Sequence, residues 1–441
     1  MKKIGFFIAH GVEARYFILS GIIEAIKTSN KVVVFVSNTI NSSFLNEYVS
    51  LYNIEVVKIP IINKSNKAKY VDRFARFLRN SRRRLNGVKI YSHFGNISNR
   101  KRILDFVFGN IFVHIFFDFF LRKLSIQFNH NKELEELLLK NKINEFYMLE
   151  YNNQVNNAIG SVCSKNKIKT HLFLNTLKTV FINDFIPYRI YRLHTWNNFQ
   201  KKIYSDANPN ISSQAFIASG SPFHTFLRNI DEKNIKVTKD KYQLEISRPI
   251  ILYPLIYEKV YSNEHLIIEK INTFFNTFSK ETRPQLVLRQ NPFQENDFLL
   301  KYVQNFSNVI IADNFWERNA TLNWSIQSIK GELEWKALLQ VANLMISYPS
   351  MSIVECIGVG TPVLNIGFDH KGFENTGLNH IIHAPFIKEF EKSDYVSKCL
   401  TFNDFKENYF AFSKTYAKKS KFEISSSLDI SKSNLNQFLL K

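Results

Sequence analysis

Apolar residues in this chain come in short unbroken runs, and amphipathic stretches separate them. Ile4 to Ala9 is the first run and Val32 to Val36 the second, and Glu55 to Ile59 reads as a third strand. Between the first two, Tyr16 to Lys27 places Phe17, Ile18, Gly21, Ile22, Ala25 and Ile26 at helical spacing. Strands this apolar belong to a parallel sheet covered on both faces, and strand–helix–strand order makes the crossover parallel. The alternation continues with a helix over Glu133 to Asn141, a strand over Glu145 to Leu149, a helix over Asn152 to Ser164 and a strand over Lys169 to Leu174. Ala215 to Ala218 predicts a further strand, which ends in Ser219-Gly220-Ser221-Pro222 before a helix from Phe223 to Arg228. Asn229 to Ile246 is polar and lysine-rich without periodicity, and predicts a linker region.

A second series follows. Strands are predicted at Pro249 to Pro254, Pro284 to Leu288, Asn308 to Ala312, Leu344 to Ile346 and Val363 to Ile366, with helices at His265 to Phe278, Gly331 to Asn343 and Ile353 to Ile357. A chain of 441 residues exceeds one comfortable core. Two α/β domains are therefore expected, at 1–230 and 231–441. The first lacks G-x-G-x-x-G, so a simple NAD fingerprint is absent.

Charge changes this picture. Lys and Arg number 58 against 38 Asp and Glu, a formal net charge of +20. A basic surface suits nucleic acid, anionic lipid or phosphorylated substrates. The crowding of Lys, Asn, Ile and Phe equally resembles the usage of an AT-rich genome. Part of the charge concentrates between Arg73 and Arg102, where Arg73, Arg76, Arg79, Arg82, Arg83 and Arg84 recur at near-helical spacing and Arg100-Lys101-Arg102 follows. An aromatic run comes next, Phe106 to Phe120, interrupted by His114 and Asp118. Two readings are open. The segment is either an interfacial patch for an anionic membrane surface, or a solvated arginine face followed by a core helix. No RNA-binding signature accompanies it, so nucleic acid is disfavoured as a partner.

Cys163, Cys356 and Cys399 are widely spaced, which fits a reducing compartment and neither a disulfide framework nor a zinc site. Glu13 and Arg15 interrupt the amino-terminal apolar run too early for a signal segment. No uncharged apolar run reaches the ~20 residues needed to span a bilayer. The expected location is the cytoplasm, or the inner face of the cell membrane.

Candidate chemistry gathers in Val341 to Asp369, VANLMISYPSMSIVECIGVGTPVLNIGFD. It reads as strand, loop, helix, strand, with Ser347, Ser350 and Ser352 where the loop enters the helix. Helix N-termini carry unpaired N–H groups and partial positive charge, which suits phosphate. Glu355, in the first turns, is placed to accept hydrogen bonds from ribose hydroxyls, or else is a surface glutamate beside a capping serine. Arg289, in the strand-end segment Arg289-Gln290-Asn291-Pro292, offers a guanidinium fork for phosphate. His10 and Glu13 follow the first strand, as ligand-facing residues do in open α/β sheets. His10 is a candidate base because an unperturbed imidazole titrates near working pH, and a capping or core role is its alternative. Glu13 is the alternate base.

SYPSMSIVECIGVGTPVLNIGFD resembles the donor-nucleotide segment of GT-B glycosyltransferases, especially bacterial surface-polysaccharide enzymes. The resemblance implies an α/β fold of two Rossmann-like domains facing a cleft. It also implies transfer of a sugar from a nucleotide-sugar donor, the co-substrate, to a glycan or lipid-linked acceptor; no D-x-D motif stands in a convincing loop, so this reading requires no cofactor and no metal. Nucleotide-sugar epimerases and polyol-phosphate transferases share the segment and remain alternatives, as does a non-catalytic binding protein. By the same resemblance Ser350, Ser352 and Glu355 contact the nucleotide and Asp369 the donor sugar. Arg289 and Asn291 stand where relatives place a basic residue and His-Pro against the donor phosphate; Asn291 departs from that histidine. The turn at Gly220 resembles the one from which such chains cross to the donor domain.

Overall fold

The computed structural model describes the chain except residues 86–98, 150–153, 175, 177–184, 257–260, 292–296, 314, 320–323, 351, 376–394 and 417–441. For 83–85, 99–102 and 414–416 it describes the backbone alone. The predicted helix start at Asn152, Pro292, Met351 and the side chains of Arg83, Arg84, Arg100, Lys101 and Arg102 therefore lie outside the described residues. The chain divides between Phe223 and His224.

In order, the first domain contains β1 (Lys3–Ile8), α1 (Gly11–Ala14), a π-helical turn (Arg15–Leu19), α2 (Ile22–Lys27), β2 (Lys31–Ser37), α3 (Ser43–Ser50) and β3 (Glu55–Ile59). Next come α4 (Asn66–Leu85), α5 (Asn99–Gly109), α6 (Ile111–Phe128), α7 (Lys132–Lys140), β4 (Glu145–Leu149), α8 (Gln154–Lys165), β5 (Lys169–Phe173), β6 (Arg192–Thr195), α9 (Asn198–Ala207) and β7 (Phe216–Ala218). Its seven strands run in the order β3-β2-β1-β4-β5-β6-β7, all parallel. The core strands carry the unbroken apolar runs because both faces are covered; Phe6, Phe7, Val33, Val34, Phe146 and Met148 are fully buried. The predicted helix over Tyr16 to Lys27 is in fact broken. Gly21 adopts a left-handed φ of 83°, and Ser20 turns its hydroxyl back to the Tyr16 carbonyl, 2.5 Å away, so α2 starts afresh.

α10 (Pro222–Arg228) straddles the boundary, and α11 (Glu232–Tyr242) occupies most of the predicted linker. Asp231 caps α11, and Lys241 and Tyr242 both bond the Glu334 carboxylate, so tertiary contacts make a helix where periodicity is weak. The second domain continues with β8 (Ile250–Pro254), α12 (Glu264–Phe275), β9 (Gln285–Arg289), α13 (Asp297–Val303), β10 (Val309–Ile311), the hairpin β11 (Trp316–Asn319) and β12 (Trp324–Gln327), and α14 (Ile329–Val341). It closes with β13 (Leu344–Ser347), α15 (Ser352–Gly358), β14 (Val363–Ile366), β15 (Val396–Cys399) and α16 (Phe402–Tyr416). Six parallel strands run β10-β9-β8-β13-β14-β15 over a core that includes Ile251, Ile267, Phe275, Leu286, Ile346 and Phe405. Burying each such side chain stabilises the fold by roughly 1.5–3 kcal/mol before conformational entropy is counted.

Strand order reverses direction between β1 and β4 in the first sheet and between β8 and β13 in the second. Crevices at the carboxyl ends beside such switch points are where open α/β sheets bind ligands. That rule selects the loops after β1, β8 and β13; β9 lies one strand further from the second switch point.

Candidate functional site

In the second domain the structure joins two of the predicted residues through a third. Arg289 ends β9, and its guanidinium carbon lies 3.9 Å from the centre of the Trp335 ring on α14. Its Nη2 donates to Gln327 Oε1 at 2.9 Å, and the Trp316 ring centre is 5.7 Å away. The indole N–H of Trp335 donates to Glu355 Oε2 at 2.7 Å. A cation, a buried aromatic face and a carboxylate thus form one array at the carboxyl ends of β9 and β13. Stacking flattens the guanidinium against the ring and fixes the direction of its remaining N–H groups.

The serine loop stands beside it. Ser347, at the end of β13, is buried; its hydroxyl donates to the Tyr348 carbonyl at 2.6 Å and shares a 3.0 Å bond with Ser350 Oγ. Ser352 is the first residue of α15. Asn365, paired in register with Ser347, is fully buried, and neither of its amide atoms has a hydrogen-bond partner among the described residues. A buried amide in that state calls for a polar ligand or a water.

Other predicted residues are held differently. Asn291 Nδ2 donates to the Leu255 carbonyl at 3.4 Å, which ties the loop after β9 to the loop after β8. Asp369 Oδ1 accepts from the Lys371 and Phe373 N–H groups at 2.9 and 3.2 Å, so this carboxylate shapes its own turn. Next to it His370 shares a 3.2 Å bond between Nδ1 and the Tyr261 hydroxyl. Gly220, between β7 and α10, has φ 79°, a conformation that favours glycine.

At the end of β1, Glu13 Oε2 accepts from the backbone N–H of His10 at 2.8 Å. Burial pushes the Glu13 carboxyl up to about 8, against the opposing backbone hydrogen bonds, and Oε1 has no partner among the described residues. Burial also lowers the His10 imidazole to about 4, so it is neutral at working pH. The group displaced toward neutrality is thus Glu13 and not His10. A carboxyl raised in the fold favours folding while protonated, and that contribution is lost as pH rises through about 8. Glu13→Gln cannot ionise, so its stability relative to the parent should grow between about pH 5 and about pH 8. Thermal unfolding of both proteins across that range checks this; a pH-independent difference would refute it.

Trp335, Gln327 and Asn365 are site residues that sequence reasoning missed. Trp335 sits in a helix with apolar neighbours, and nothing local separates it from a core tryptophan. Among the described residues no three His, Cys, Asp or Glu side chains gather as metal ligands.

No protein-family model matches the sequence, and no curated protein matches it either. Solved structures do resemble the fold over nearly the whole chain. UDP-GlcNAc 2-epimerase from Neisseria meningitidis, bound to UDP-GlcNAc, is 13% identical at a TM-score of 0.59, covering 100% of this chain and 98% of that one. The Rickettsia bellii UDP-N-acetylglucosamine 2-epimerase is 11% identical at 0.56, covering 100% and 95%. The Methanocaldococcus jannaschii UDP-GlcNAc 2-epimerase is 12% identical at 0.55, covering 99% and 98%. The chain has the GT-B fold: two α/β domains, each with its own parallel sheet.

Proposed function

We propose that this chain is an enzyme that binds a nucleotide sugar through its carboxyl-terminal domain and alters that sugar. The Arg289–Trp335–Glu355 array carries the reading. A stacked guanidinium suits a diphosphate, a carboxylate suits the two hydroxyls of a ribose, and Ser350 and Ser352 add hydroxyl groups beside them. This reading requires no divalent ion.

Epimerisation of the sugar while it stays nucleotide-linked is the better supported reaction. The full-length fold likenesses named above are to UDP-GlcNAc 2-epimerases. Glu13 also supplies a carboxyl able to take up and return a proton near neutral pH, as inversion of a carbon centre requires. Transfer to a glycan or lipid-linked acceptor is the second reading. It is favoured by the exposed aromatic face of α5 and α6, which suits an acceptor held at a membrane.

A thermal-shift screen against UDP-, GDP-, CMP-, CDP- and dTDP-sugars tests the binding step, because a ligand of the native state raises the melting temperature by mass action. One base class, UDP first, is expected to stand out. The ligand so found is then incubated with the protein in deuterated water. Deuterium at the sugar carbon with a new epimer marks epimerisation, whereas nucleotide release only with an added acceptor marks transfer. A screen with no stabilising nucleotide sugar overturns the proposal.

A further inference from the structure

Helix α6 is built inside out. Its buried positions are His114, Asp118, Leu121 and Ser125, three of them polar, while Phe112, Phe116, Phe119 and Phe120 stand at 78%, 59%, 59% and 44% exposure. α5 continues the pattern, burying Asp105 and exposing Phe106 and Val107. A surface helix of a domain surrounded by water shows the opposite polarity. The inward polar face is tied down around Asp118. Asp118 bonds Arg79 of α4, accepts from Arg122 Nε at 2.7 Å and from Asn210 Nδ2 at 3.1 Å, and Arg122 also reaches Asn208 Oδ1 at 2.6 Å. The network fixes which side of α6 faces out, and that side is aromatic.

The stretch of sequence that carries this face is strongly basic. Residues 66–128 hold fourteen Lys or Arg against three Asp, a surplus of eleven out of the chain's +20. Asp105 and Asp118 are buried and Asp72 is paired with Lys64, whereas Arg73, Arg76 and Lys123 are exposed. We propose that the α5–α6 face docks this domain on an anionic lipid bilayer, with its aromatic rings in the headgroup–acyl boundary and the arginines of α4 against the headgroups. No single helix among the described residues is long and apolar enough to cross a membrane, and α5 and α6 together are bent by 68° at Gly109–Asn110. The bend and the buried ion pairs fit a surface-lying element. A second copy of the chain fits less well, because a two-fold contact sets basic surplus against basic surplus. Nucleic acid would satisfy the arginines but leave Ile103, Leu104 and Ile115 uncovered.

The test is vesicle flotation of the full chain. Phosphatidylcholine vesicles containing phosphatidylglycerol are expected to bind it, pure phosphatidylcholine to bind about tenfold less, and added salt to weaken the anionic case. Phe116→Asp with Phe120→Asp should weaken binding by at least about tenfold. Arg73→Glu with Arg76→Glu should cost about thirtyfold on anionic vesicles only. All four side chains are exposed, so an unchanged near-ultraviolet circular dichroism spectrum verifies that the fold is intact. Failure to float with anionic vesicles overturns the proposal. So does sedimentation showing a dimer that the phenylalanine pair abolishes while vesicles are ignored, or binding of an RNA oligonucleotide by a protein that ignores vesicles.

Discussion

Glu355→Ala is expected to weaken nucleotide-sugar binding about 100-fold, from the loss of charge-assisted hydrogen bonds and the orphaning of a partner donor. Two things go at once. The carboxylate proposed to receive the ribose hydroxyls disappears, and the buried Trp335 N–H loses its acceptor. An unpaired indole N–H loosens the ring, and Arg289 stacks on that ring at 3.9 Å, so the phosphate end suffers too. Glu355→Gln separates the effects. The amide oxygen still accepts from Trp335, so Arg289 stays placed, and binding should fall only about tenfold. Trp335→Phe tests positioning from the other side: it keeps a ring under Arg289 and removes the hydrogen bond, so affinity should fall while base selectivity is unchanged. Titration calorimetry with the ligand found by thermal shift measures all three. Parental affinity in Glu355→Ala would remove the carboxylate from the site altogether.

The parts of this architecture that were legible in the sequence are those where burial on both faces leaves an unbroken signature. β4, β9 and β14 lie within a residue or two of the runs Glu145 to Leu149, Pro284 to Leu288 and Val363 to Ile366; the edge strand β3 also coincides with the predicted Glu55 to Ile59, but it is largely exposed and lacks that signature. β6 reads Arg-Leu-His-Thr and β15 Val-Ser-Lys-Cys, sequences with no apolar run, and only sheet pairing makes them strands. The hairpin of β11 and β12 escapes for the same reason, although it delivers Gln327 and Trp316 to Arg289. Arg289 and Glu355 could be found because strand ends and loop–helix junctions have sequence marks. Trp335, twenty residues before Glu355, could not, since its meeting with both neighbours is tertiary. The aromatic run of α6 was visible as composition, but its orientation was not. An apolar face is ordinarily assigned inward, and only the Arg79–Asp118–Arg122 contacts reverse it.

Those contacts carry the second large effect. Asp118→Asn should destabilise the first domain by about 3–5 kcal/mol, the cost of stranding buried charge. Arg79 is 3% exposed and Asp118 fully buried, with both guanidinium groups beside the Phe185 ring at 4.3 and 5.7 Å. Removing the carboxylate that Arg79 and Arg122 share therefore weakens the pairing of two cations in a water-poor space, and an amide cannot neutralise either. The asparagine keeps the shape, so the loss reports charge and not a cavity. Burial alone would raise the Asp118 carboxyl, but Arg122 and Arg79 outweigh it and hold it below the usual range. A depressed carboxyl stabilises the fold above its unfolded value, about 3.9, and the contribution is lost as pH falls through the lower folded value. The parent should therefore show an acid-dependent loss of stability below about pH 4 that the variant lacks. Denaturant unfolding at neutral and acid pH, with hydrogen exchange reporting on α4 and α6, resolves both. A variant within about 0.5 kcal/mol of the parent at pH 7 would mean that water reaches the pair, and that α6 is not held by its polar face.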